Sequence, residues 1–131
     1  MKVLGWVGDE TGIDQAYLLF AAASVADQRP GAVKHFLAAY RKGAHDYYEA
    51  FTNTDGKRQD GPTAPEILDI LVKYLGQPID LVRRGTPYFD PDGRVDAEAV
   101  QRQIDWYRSQ GLLKENVSAA QIIDKRYALE R

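Results

Sequence analysis

From Pro30 onward the apolar positions Val33, Phe36, Leu37, Tyr40, Ala44, Tyr47 and Phe51 recur at three- and four-residue steps. One stripe of this kind, with Lys34, Arg41, Lys42, Asp46 and Glu49 outside it, predicts an amphipathic helix. Pro30 suits the first turn, where its missing N–H has no intrahelical partner to lose. The polar run TNTDGKRQDGP ends the helix. A second helix is predicted from TAPE, with Thr63 as cap, Glu66 reaching back to complete a capping box, and Pro65 tolerated in the first turn. Ile67, Leu68, Ile70, Leu71, Tyr74 and Leu75 are its expected buried side, and Gly76 its stop. A short helix follows in PIDLVRR, closed by Gly85, and Asp-Pro-Asp-Gly within TPYFDPDGRVD is turn chemistry.

Asp96 is the expected cap of the next helix, with Val100, Ile104 and Tyr107 on one face and Trp106 beside them. Gly111 ends it, and Leu112 and Leu113 are expected to fold back onto the core. Ser118–Gln121 repeats the capping-box pattern before IIDKRYALE, so a last helix is predicted to run nearly to the end. The N-terminal third reads differently. KVLGWV and AYLLFAAA are short apolar runs flanked by turn residues, the pattern of buried strands, although periodicity leaves the alanine-rich run open to helix. Two strands alone are marginal without further neighbours or a covering layer. The expected fold is therefore mainly α (α+β): a helical layer beside an unfinished strand layer.

At 131 residues, 44% hydrophobic and 27% charged, the chain has the composition of one globular domain. A formal net charge of −2 provides no basic field for nucleic acid, and basic residues cluster no further than pairs such as Arg83–Arg84 and Lys125–Arg126. The absence of cysteine excludes disulfides, zinc–thiolate sites and thiol chemistry. Asp9, Glu10 and Asp14 separate the lone Lys2 from the apolar run AYLLFAAASVA, so the start does not read as a signal peptide. The run is also too short to cross a bilayer as a helix.

The loop GWVGDETG fails as a phosphate cradle. Gly12 is followed by Ile13 and Asp14 rather than by lysine and a hydroxyl residue, and Asp9 and Glu10 repel anions. DPDGRVDAE has the acid density of a calcium loop, but Gly93 is its fourth position and the twelfth is Gln101, so a turn before the Asp96 cap accounts for it. His35 and His45 stand ten residues apart, outside the spacing that pairs metal ligands on one helix face. No serine lies in a nucleophile-elbow context. No catalytic constellation, metal site or cofactor site emerges, and the chain is expected not to be an enzyme. Trp6 and Tyr17 flank the acidic loop as an aromatic pair, an arrangement equally suited to a small-molecule pocket or to packing at a strand end.

In order along the chain, KVLGWVGDET, RPGAVKHFLAAYRKGAHDYYEAF, GTPYFDPDGRVD and QIDWYRSQGLLKENVSAAQIIDKRY resemble the nitrate/sulfonate/taurine-type substrate-binding proteins of ABC transporters, grouped with thiamine-pyrimidine-precursor-like proteins. The resemblance implies the helical C-terminal part of a type II periplasmic-binding-protein-like α/β fold with one or two short N-terminal strands. Residues 1–23 would be crossing strands and loop, residues 24–131 a helical layer, and Met1 would stand in mid-domain of a single partial domain. By the same resemblance the opening loop borders a ligand cleft, making Trp6, Asp9, Glu10, Thr11, Asp14, Gln15 and Tyr17 the candidate ligand-binding residues. Their carboxylates suit a cationic or donor-rich small molecule rather than nitrate or a sulfonate. The cysteine-rich motif of the thiamine-precursor synthases in the group has no counterpart here.

The function implied is a non-catalytic solute-binding component of an ABC-type importer, with a small-molecule ligand and an ABC permease as partners in the full-length context. The isolated chain is expected to bind weakly. Its location is periplasmic as part of that longer protein and cytoplasmic for the chain without a signal peptide. The alternative from the residues themselves is a free-standing helical interaction module, a homo-oligomer that buries Val3–Val7 and Tyr17–Ala22.

Overall fold

The computed structural model describes residues 17–52 and 59–130. These residues form α1 (Ala23–Gln28), α2 (Pro30–Phe51), α3 (Ala64–Leu75), α4 (Ile79–Gly85), α5 (Ala97–Ser109) and α6 (Ala119–Ile122). The protein is mainly helical, and the described residues contain no β-sheet; an isolated parallel bridge joins Val95 to Glu130. The apolar run at Tyr17–Ala22, which the sequence suggests as a strand, carries no regular secondary structure. The chain divides into two compact units: a terminal unit described over residues 17–33 and 94–130, and a central unit described over 34–52 and 59–93.

In the central unit, the stripe expected on α2 is the inward one. Ala44 and Phe51 are buried, and Leu37, Tyr40 and Tyr47 are half-buried, whereas Phe36 stands 59% exposed. Ala50, Phe51, Ala64, Leu68 and Val82 form the core, flanked by Tyr47, Ile67, Leu71 and Val72. Gly61 anchors the chain as it enters α3, donating its backbone N–H to the Ala50 carbonyl at 2.8 Å. A Cβ at this position would meet the Glu49 carbonyl oxygen at 2.8 Å, so the close approach requires glycine.

The start of α3 departs from the capping box read in the sequence. Thr63 has helical backbone angles (φ −90°, ψ −2°) and makes no side-chain cap bond. A capping hydroxyl needs an extended backbone beneath it. Here Thr63 already lies within a turn in which Ala64 donates to the Gly61 carbonyl. Gly76 ends α3 as expected, at φ 62° with its N–H on the Val72 carbonyl. The buried side of α3 is narrower than the sequence suggests: Ile70, Tyr74 and Leu75 are 46%, 79% and 57% exposed. A helix turns about 100° per residue, so Ile70 and Tyr74 point roughly 160° and 120° away from the buried Leu68. The neighbour packed against α3 is the seven-residue α4, and the core stripe it joins covers only Ala64 and Leu68 with their flanks.

In the terminal unit Val100, Ile104 and Ala119 make the core, with Leu18, Val95, Leu113 and Ile123 packed against it. The Asp96 carboxylate caps α5 by accepting from the Ala99 N–H at 2.7 Å. Trp106 and Tyr107 were expected near the core but are 56% and 45% exposed, with rings in edge contact at 5.1 Å. The chain turns back through Gly111 as expected, and Leu113 returns to the core while its neighbour Leu112 stays 64% exposed. At α6 the Gln121 side chain accepts from the Ser118 N–H at 2.8 Å, the reciprocal half of a capping box. The helix nevertheless stops at Ile122 instead of running to the end. Asp124 supplies the reason: its carboxylate accepts the Arg126 N–H, and its carbonyl accepts from Tyr127 and Ala128. An aspartate that bonds to nearby backbone in this way favours a turn over helix continuation.

Candidate ligand and interaction surfaces

Of the seven residues suggested as ligand-binding, Tyr17 falls within the described chain. Trp6, Asp9, Glu10, Thr11, Asp14 and Gln15 lie outside the described residues, as does the apolar run Val3–Val7. Tyr17 is 57% exposed at the head of the irregular run that precedes α1. Leu18 anchors this run on the Val100–Ile104–Ala119 core, while Leu19 and Phe20 face outward, Phe20 at 84% exposure. The run thus presents three large apolar side chains around one inward anchor.

Polar ties join distant parts of the terminal unit. The Tyr127 hydroxyl donates to the Ala26 carbonyl at 2.7 Å, and Arg126 bridges Asp27 at 2.8 Å and Asp124 at 2.6 Å. Hydrogen bonding from Arg126 holds the Asp124 carboxyl below the usual carboxylate range, and the two carboxylates in turn raise the pKa of the Arg126 guanidinium. Gln101 accepts the Ala119 N–H at 2.8 Å, and Arg108 donates to the Val117 carbonyl at 2.7 Å, so α5 holds the entry to α6 from two side chains. Each of these groups ends on a partner within the fold, which gives them a positioning role.

The central unit carries an aromatic cluster. Tyr47 meets Phe51 and Phe89 edge-on, at ring separations of 4.9 and 5.2 Å, and its hydroxyl donates to the Pro87 carbonyl at 2.7 Å. Tyr48 meets Tyr88 at 6.2 Å. Burial, with a smaller contribution from Asp90, pushes the Tyr40 phenol above its ordinary pKa. The Asp90–Gly93 segment is the turn expected from its sequence: Asp90 accepts from the Asp92 N–H through its carboxylate and from the Gly93 N–H through its carbonyl, both at 3.0 Å. Gly93 has φ 64°, and a Cβ there would stand 3.1 Å from the Tyr40 ring. Among the described residues no group of three or more histidine, cysteine, aspartate or glutamate side chains could hold a metal ion. His45 lies 3.7 Å from Glu49 on the exposed side of α2.

Many large apolar side chains of the described residues stand at the surface. Over half of the buried apolar residues among those described are alanines, whereas Tyr17, Phe20, Phe36, Tyr74, Trp106 and Leu112 each stand more than half exposed. Sequence periodicity assigned several of these to the interior. For Tyr74 a signal exists: α3 carries Ile67, Leu68, Ile70, Leu71, Val72, Tyr74 and Leu75 within nine residues, more than a single stripe can hold. Comparison with protein families, curated proteins and solved structures finds no match to this chain. Among the described residues no helix is long and apolar enough to cross a membrane.

Proposed function

We propose that this chain is the C-terminal portion of a non-catalytic solute-binding component of an ABC-type importer, acting on a small organic solute. The observation that carries the reading is the exposed apolar surface over an alanine-rich interior. Exposed apolar side chains gathered into one segment mark places where another layer or partner docks, and Tyr17, Leu19 and Phe20 are gathered in four residues. In the resembled proteins a parallel sheet and a second lobe supply that layer, and Tyr17–Phe20 are the first apolar residues to receive it. Tyr17, with the acidic loop that precedes it, would border the cleft, and closure of two lobes around the solute would signal to the permease. With half the cleft absent, the 131-residue chain alone is expected to bind solute weakly.

Translation of the DNA upstream of Met1 tests the reading. A signal peptide and further α/β lobes in the same frame are expected, together with calorimetric binding of a cationic or donor-rich solute by the longer product. A stop codon directly upstream, with no lobe encoded in any frame, would remove the reading. So would submicromolar solute binding by the 131-residue chain itself, because it would locate a complete site within these residues.

The alternative, a helical module that self-associates without ligand, is favoured by one specific observation: the outward face of α3 carries exposed Ile70 between Glu66 and Lys73, with exposed Tyr74 beside them.

A further inference from the structure

We propose that the outward face of α3 pairs with the same face of a second copy of this chain, antiparallel and about a two-fold axis. The inference does not depend on the solute-binding reading. At about 100° per residue, Glu66, Ile70, Lys73 and Tyr74 fall within an arc of roughly 100° on one side of the helix. Leu68, in the core, lies on the other side. All four are exposed, Ile70 at 46% and Tyr74 at 79%. Glu66 and Lys73 make no ion pair among the described residues, and the Lys73 ammonium stands 5.7 Å from the Tyr74 ring centroid.

This stripe contains its own complement. Glu66 and Lys73 are seven residues apart, two helical turns or roughly 10 Å, with Ile70 between them. A two-fold axis midway between Asp69 and Ile70 therefore sets Glu66 of each copy opposite Lys73 of the other. The two Ile70 side chains meet near the axis, and Tyr74 flanks them on the same face toward the C-terminal end of each helix. An isologous contact requires this self-complementarity, in which residue i meets j and j meets i. A partner of a single charge sign would match one end of the stripe and oppose the other. Antiparallel packing also aligns the two helix dipoles favourably. Opposite charges beside an apolar centre fix the register more than they add affinity, so the pairing is weak and reversible.

Sedimentation of the 131-residue chain, from about 10 μM to about 1 mM, tests the proposal. A reversible monomer–dimer equilibrium is expected. Glu66→Lys and Lys73→Glu each turn two attractions into two repulsions, and each is expected to raise the dimer dissociation constant about tenfold or more. The double reversal Glu66→Lys/Lys73→Glu should return it to within about threefold of the parent, a rescue that general destabilisation cannot produce. Far-UV circular dichroism checks that each variant remains helical. Tyr74→Ala, which leaves the charges in place, gives a second reading through weakened association. The proposal is overturned by a monomer across the whole concentration range, by a dimer indifferent to both single reversals, or by a failure of the double reversal to rescue. It is also overturned if Phe20→Asp dissolves the dimer while Glu66→Lys leaves it intact, since association would then run through the Tyr17–Ala22 segment.

Discussion

The two units of the protein close their cores by different means. In the central unit the core contacts are mainly apolar and aromatic, with the bond from the Tyr47 hydroxyl to the Pro87 carbonyl as a long-range polar tie to backbone beside them. Leu68 is fully buried against Ala50, Phe51 and Val82, the Tyr47 ring meets Phe51 and Phe89, and Gly61 enters against the end of α2 with no room for a side chain. The terminal unit has a smaller cluster of fully buried residues and relies on side chains that bond to backbone: Asp96 to Ala99, Gln101 to Ala119, Arg108 to Val117 and Tyr127 to Ala26. Short elements explain the difference. The four-residue α6 offers little apolar area, so directional hydrogen bonds fix what burial alone would leave loose. The lesson is that a helical region can be ordered by shape in one part and by capping and cross-bonds in another.

Truncation in the central core should have the largest effect. Leu68→Ala is expected to cost about 3 kcal/mol in a denaturant melt, because a fully buried leucine leaves both lost contacts and a cavity. A loss below about 1 kcal/mol would show that the site collapses freely, and the contrast between the units would weaken. Next is Gly61→Ala, expected to cost about 2 kcal/mol through the forced approach to the Glu49 carbonyl. Its mark would be a stability loss without a loss of apolar burial, read from an unchanged denaturant slope.

In the terminal unit Asp96→Ala should cost about 1 kcal/mol through loss of the α5 cap, with Asp96→Asn largely preserving stability. Equal losses for the two variants would separate the effect from capping. The smallest effect is expected at the Arg126 bridge. Asp124 has a depressed pKa in the folded chain, so its contribution is present above the ordinary carboxylate range and disappears as pH falls through the folded value. Carboxyl-carbon NMR should show Asp124 titrating below the usual aspartate range, and Arg126→Ala should raise it toward that range, the backbone N–H at residue 126 keeping part of the depression. Titration at the ordinary position in the parent chain would remove the bridge as an organising contact.

Much of the helical framework is legible in the sequence because its signals are local. The stripe from Leu37 to Phe51, the Asp96 cap, the Gly76 stop and the Asp90–Gly93 turn each depend on residues within a few positions of one another. The candidate ligand site is legible only through resemblance; of its members the structure describes Tyr17, on the surface. Thr63 resembled a cap by its spacing to Glu66, yet the turn fixed by Gly61 places its backbone in the helical region. Ser118 and Gln121 announced a helix correctly, whereas its length was decided by the bonds that Asp124 draws to itself.

By itself, the sequence determined where most helices begin, which residues turn the chain, and which chemistries lack the side chains to occur. Only the tertiary structure decided which of the many apolar residues are covered. Periodicity states that a residue belongs to an apolar face; it carries no information about how wide a neighbour will be laid against that face. On α3 the short α4 and the end of α2 meet one stripe around Leu68, and Ile70 and Tyr74 remain outside because the packed neighbours end before reaching them.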